Sequence, residues 1–193
     1  MPRLPICLAA LIALVLACQS QSPPAATPRP SPSEAATPQP ALRPPADAVL
    51  ADADLGLPRT AGRDHLSAAE AARDTANEVL ALETYSGWGW VEASTRTWSG
   101  GGRQAAETLL LTVRAEGASR AFDAWAADAA RAPYAAVDCP ASVSRLDQCR
   151  LGVAGDRALV VGRLGAEVFR IETTGVDSAA LASKQASRMV APG

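Results

Sequence analysis

Lysine is nearly missing from this chain of 193 residues, which carries 17 Arg and a single Lys. Histidine occurs once, as His65, and aromatic residues make up 4% of the chain. The formal net charge is −2, so the basic footprint of a dedicated nucleic-acid binder is lacking. One imidazole and four Cys leave little material for a metal centre or an activated nucleophile. No G-x-S-x-G elbow is present. The run Gly100-Gly101-Gly102 lacks the Lys and Ser/Thr of a phosphate loop. EF-hand spacing is absent as well. Glycosidase chemistry needs two carboxylates across a cleft, and Glu83, Glu92, Glu107 and Glu172 read better as exposed charged strand faces. His65, just before the first expected helix, reads as a solvated approach to it. The sequence therefore assigns no catalytic residue, no metal and no cofactor. A hydrophobic content of 48% excludes a fully disordered chain. Only one uninterrupted apolar run exists, which excludes a polytopic membrane protein.

That run lies at the start. Residues 1–18 read MPRLPICLAALIALVLAC. Arg3 supplies a positive n-region, and Ile6 to Leu16 form an apolar stretch of signal-peptide length, too short to span a bilayer. The stretch ends in Val15-Leu16-Ala17-Cys18, which resembles the bacterial lipobox. Ala17 and Val15 fit it, whereas Leu16 stands where a small residue is usual. The resemblance implies cleavage before Cys18 and its acylation at sulfur, hence anchoring in the cell membrane or outer membrane on the extracytoplasmic side. Two or three acyl chains hold a protein stably where one does not. Cleavage near Cys18 by an ordinary secretory route is the other reading.

Residues 19–47 form the second segment. Nine of the 28 residues from 19 to 46 are Pro. Proline lacks an N–H and fixes φ, so neither helix nor sheet propagates. Without large apolar side chains nothing offsets the entropy of ordering. The segment is expected to be a disordered, polyproline-like tether. Residues 48–193 are expected to form a single α+β domain. They hold 18 acids and 15 bases, a net of −3, so attraction to anionic lipid is not what would hold the protein down.

Within the domain, Ser67 and Glu70 have capping-box spacing, and a helix is expected from 67 to about 82. Residues 88–98 read as a strand, with Val91, Ala93, Thr95 and Thr97 on one face and Trp90, Glu92, Ser94, Arg96 and Trp98 on the other. The three glycines at 100–102 turn the chain into a second strand at 108–113, which Gly117 ends. A helix follows to about Arg131, with Ala118, Ala121, Phe122, Trp125, Ala126 and Ala129 on one stripe and Pro133 closing it. Short strands are expected at 150–153, 159–161 and 168–173. Asp177 caps a last helix to about Val190, with Leu181, Met189 and Val190 facing in. The order α-ββα-βββα implies an antiparallel sheet of about five strands with helices packed against it. This architecture is similar to Mog1/PsbP-like and sensor-type domains of bacterial lipoproteins.

With Cys7 cleaved away and Cys18 acylated, Cys139 and Cys149 remain, nine residues between them. Outside the cytoplasm they should pair, stabilising the loop by roughly 2.5–3 kcal/mol. Trp88 and Trp90, with Tyr85 and Trp98 nearby, are the candidate binding surface. Such rings either stack on sugars, apolar ligands and partners or close the core beneath the first helix. The function expected is a membrane-anchored, non-catalytic domain binding an envelope protein or cell-wall ligand. A carboxylate-based envelope enzyme and a structural assembly factor are the alternatives.

Overall fold

The computed structural model describes residues 41–191. The signal segment, Cys18 and residues 19–40 of the expected tether lie outside them. The described chain is an α+β domain built on one seven-stranded, fully antiparallel sheet. Its strands are β1 (Arg59–Leu66), β2 (Trp90–Gly100), β3 (Arg103–Thr112), β4 (Ala135–Val137), β5 (Gln148–Ala154), β6 (Arg157–Leu164) and β7 (Glu167–Thr174). They are ordered β1-β2-β3-β7-β6-β5-β4. The sequence reading expected about five strands. The two it missed are the edges, where exposure leaves little hydrophobic signature. Strand β1 is exposed at every residue except Leu66, and β4 is three exposed residues just before Cys139.

Side chains alternate across a strand, and this sheet uses both faces. Leu109, Val160, Phe169 and Ile171 belong to one core. Their chain neighbours Leu110, Leu159, Val161 and Val168 belong to the other. Helix α6 (Ser178–Met189) covers the first face with Leu181, Ala182 and Met189. It is joined there by α1 (Pro45–Ala48), α2 (Asp52–Leu55) and the chain between them, through Ala48, Val49 and Leu50. Helix α5 (Ala115–Ala129) covers the second face with Ala118, Ala121, Phe122, Ala126 and Ala129, the stripe read from spacing.

Four local expectations need correcting. The folded chain starts before residue 48: Leu42 bridges to Val190, and Pro45 is buried. The helix expected at 67–82 is two helices, α3 (Ala68–Arg73) and α4 (Glu78–Trp88). Ser67 caps α3 in the capping box read from sequence, and Asn77 caps α4 by accepting from the Leu80 N–H at 3.1 Å. Trp88 therefore ends a helix rather than opening a strand. Gly117 does not end a strand but lies inside α5, where a Cβ would fall 1.9 Å from the Trp88 carbonyl oxygen. At the other end of α5, a Cβ on Gly152 would fall 2.2 Å from the Ala129 carbonyl oxygen. The first close approach seats α5 against the end of α4 and the second seats it on β5.

Candidate functional site

The four aromatic residues singled out by sequence do not make one surface. Trp98 is 1% exposed and belongs to the α6-side core, its Nε1 donating to Asp52 Oδ1 at 2.9 Å. Trp88 is 8% exposed and packs with Tyr85 and Trp90 in the α5-side core. The Tyr85 ring lies 5.3 Å from Trp88 and 4.7 Å from Trp90, and Trp125 meets Trp88 edge-on at 6.0 Å. The Trp90 Nε1 donates to the Leu66 carbonyl at 2.9 Å. Sequence alternation placed Trp90 and Trp98 on one face. A register shift between Trp90 and Glu92 inserts one extra residue, and one residue changes the parity.

His65 sits in β1 with φ +54°. Its Nδ1 lies 2.8 Å from Glu92 Oε2, and this hydrogen bond, more than any other influence, raises the imidazole pKa. Glu107 was read as an exposed strand carboxylate. It is instead 2% exposed, accepting from the Leu50 N–H at 2.9 Å. Burial pushes its pKa up to about 8. Burial does the same to Glu167, also to about 8. Glu107 lies opposite Ile171, and Glu167 opposite Leu111. The two carboxyls therefore attach four residues apart along neighbouring strands, about 13 Å. Both lie in the interior, so they do not form a glycosidase pair across a cleft.

One groove of about 480 Å³ lies on the second face, beyond the C-terminal end of α5. Thr97 on β2, Gln104 on β3, Glu172 on β7 and Arg157 on β6 line it, with Thr60 from β1 and Tyr134 from the loop after α5. Strand register builds it. Ser99, Gln104, Thr174 and Arg157 are directly opposed in one row across β2, β3, β7 and β6. Thr97, Ala106 and Glu172 form the next row. The same alternation that sends Ala105 and Ile171 into the first core leaves these polar side chains on an uncovered part of the sheet.

The groove's carboxylate is held in place. Arg170 Nε and Nη2 both donate to Glu172 Oε1, at 2.9 and 2.6 Å. Arg170 Nη1 donates to Asp128 Oδ2 of α5 at 2.7 Å. Burial works against the Arg170 charge, yet the two carboxylates outweigh it and raise its pKa. The other Glu172 oxygen, Oε2, has no hydrogen-bond partner among the described residues. The Arg157 guanidinium lies over the Tyr134 ring, 5.8 Å from its centroid. Sequence reasoning noted Thr95 and Thr97 on one face but did not join them to Gln104, Glu172 and Thr174. That step requires knowing that β3 pairs with β7 across about 65 residues of chain.

Cys139 and Cys149 are joined as a disulfide, with Cα atoms 6.2 Å apart, as the spacing suggested. Half-buried, they pack against the α6-side core. No family model matches the chain, and no curated protein does so either. Among solved structures it is similar to the extracellular domain of PknH from Mycobacterium tuberculosis. The identity is 11% and the TM-score 0.45, with 79% of this chain and 96% of that chain covered. A likeness at that level assigns neither fold family nor function.

Proposed function

We propose that this chain is a lipid-anchored, extracytoplasmic binding protein whose non-catalytic domain takes up an envelope ligand or partner in the sheet-face groove. The groove carries this reading, because it joins an uncovered sheet surface to a carboxylate pre-set by Arg170 and Asp128. Held geometry of this kind is what a recognition site requires. The lipobox-like end at Cys18 and the Pro-rich segment supply the address and the tether. The disulfide agrees with an oxidising compartment, where such bonds persist. Against a carboxylate enzyme stands the placement of Glu107 and Glu167, which are buried away from the groove.

Two measurements test the reading. The wild-type chain should fractionate with membranes and the C18A chain should not; a C18A chain that stays in the membrane fraction removes the anchor. Soluble envelope fragments should shift the amide resonances of the groove strands and leave those of α6 in place. Fragments that move neither, or that move α6 alone, remove the binding role.

A further inference from the structure

We propose that the groove recognises a neutral, hydroxyl-rich oligosaccharide; this rests on the groove being a binding site and names its ligand class. Charge argues first. Arg157 and Glu172 face the same space, so a polyanion meets the carboxylate and a polycation meets the guanidinium. The lining argues second. With Trp98 and Ala105 turned into the opposite core, its apolar groups are the Ala106 methyl and the Tyr134 ring. These two groups, interrupted by polar side chains, do not make the continuous apolar wall that a lipid tail selects.

The remaining groups match hydroxyls. A sugar hydroxyl both donates and accepts, as do the hydroxyls of Thr60, Thr97 and Thr174. The Gln104 amide does both as well, Arg157 donates only and the Glu172 carboxylate accepts only. Thr60 and Thr97 already show the pattern, with hydroxyls 3.1 Å apart. A peptide is the rival, and the groove's position disfavours it. Peptides add to sheets at an edge, where backbone N–H and C=O groups are free. The floor of this groove is the face of β2, β3, β7 and β6, whose backbone groups are used in the ladder on both sides, and the edge strand β1 contributes Thr60 alone. Five strands at the usual spacing span about 19 Å, which suits a chain of sugar rings rather than one ring.

The test uses the full chain, isotope-labelled, in a zwitterionic detergent. The probes are a neutral tetrasaccharide of N-acetylglucosamine, a neutral tetrasaccharide of glucose and an uncharged peptide of eight residues. At least one tetrasaccharide should shift the amides of Thr97, Gln104, Glu172 and Thr174 in a saturable way. R157A and E172Q should each weaken that binding by about tenfold, the usual effect of deleting one charged hydrogen-bonding partner. Q104A, whose side chain makes no hydrogen bond among the described residues, should weaken it less while leaving the fold intact. If the peptide shifts these amides and the sugars do not, the oligosaccharide proposal falls and the binding role stands. If no probe shifts them while envelope fragments do, the ligand class is again wrong. If neither probes nor fragments shift them, both fall.

Discussion

At the residue scale the informative side chains are buried and ionisable. Glu107 and Glu167 sit inside the domain with carboxyls raised to about 8, and both Glu167 oxygens lack a hydrogen-bond partner among the described residues. A raised carboxyl is protonated in the fold but ionises near 4.5 when unfolded. Its contribution to stability is therefore complete below about pH 4.5 and is lost as pH rises toward 8. Each such group removes up to about 1.4 kcal/mol per pH unit across that window. Urea unfolding should show the wild type losing stability between pH 5 and pH 8, with a visibly flatter profile for E107Q. A wild-type profile that is level over this range would contradict the assignment. The Asp64 carboxylate behaves in the opposite sense. Burial works to raise it, but Arg96, which donates to both its oxygens at 2.7 and 2.9 Å, leaves its pKa lowered. Whatever stability it supplies is lost as pH falls toward its folded value.

At the scale of elements, helix caps and turns were legible because they depend on near neighbours. Ser67 with Glu70 and Asp177 with the Ala180 N–H cap as spacing implies. What spacing could not show is a contact between distant elements. Gly152 reads as an ordinary strand glycine until α5 arrives, when the Ala129 carbonyl leaves no room for a Cβ. G152A should destabilise the domain by roughly 1–3 kcal/mol, the usual range for overpacking. Unfolding of G152A at the wild-type midpoint would show that α5 yields more easily than this packing implies. The cysteine loop is the second element-scale case. Between Cys139 and the start of β5 it holds a single 3-10 turn, Ala141–Val143, so the disulfide is its main covalent constraint. Replacing Cys139 and Cys149 together by Ser should reduce stability by about 2–3 kcal/mol. Amide exchange should accelerate first between residues 135 and 150.

For the whole molecule, one sheet carries two cores, and the chain before β1 is part of one of them. Ala48 and Leu50 are 0% and 1% exposed, and the Leu50 N–H bonds the buried Glu107. Removing residues 1–40 should leave the melting temperature unchanged. Removing residues 1–50 should lower it steeply, because it uncovers the α6-side face of β2 and β3 and strips Glu107 of its donor. Equal melting temperatures for the two truncations would show that α1 is dispensable.

The proline-rich composition of residues 19–46, the α+β class, the cysteine pair and the apolar stripe of α5 could all be read from the residues alone. Each depends on composition or on neighbours within a few positions, where local sterics and periodicity govern. The seven-strand order, the burial of Glu107, the separation of Trp90 from Trp98 and the groove were decided only by tertiary structure. Each depends on which distant strands become neighbours and on a single bulge that changes which face a side chain meets, and pairing across about 65 residues leaves no mark in the spacing of either strand.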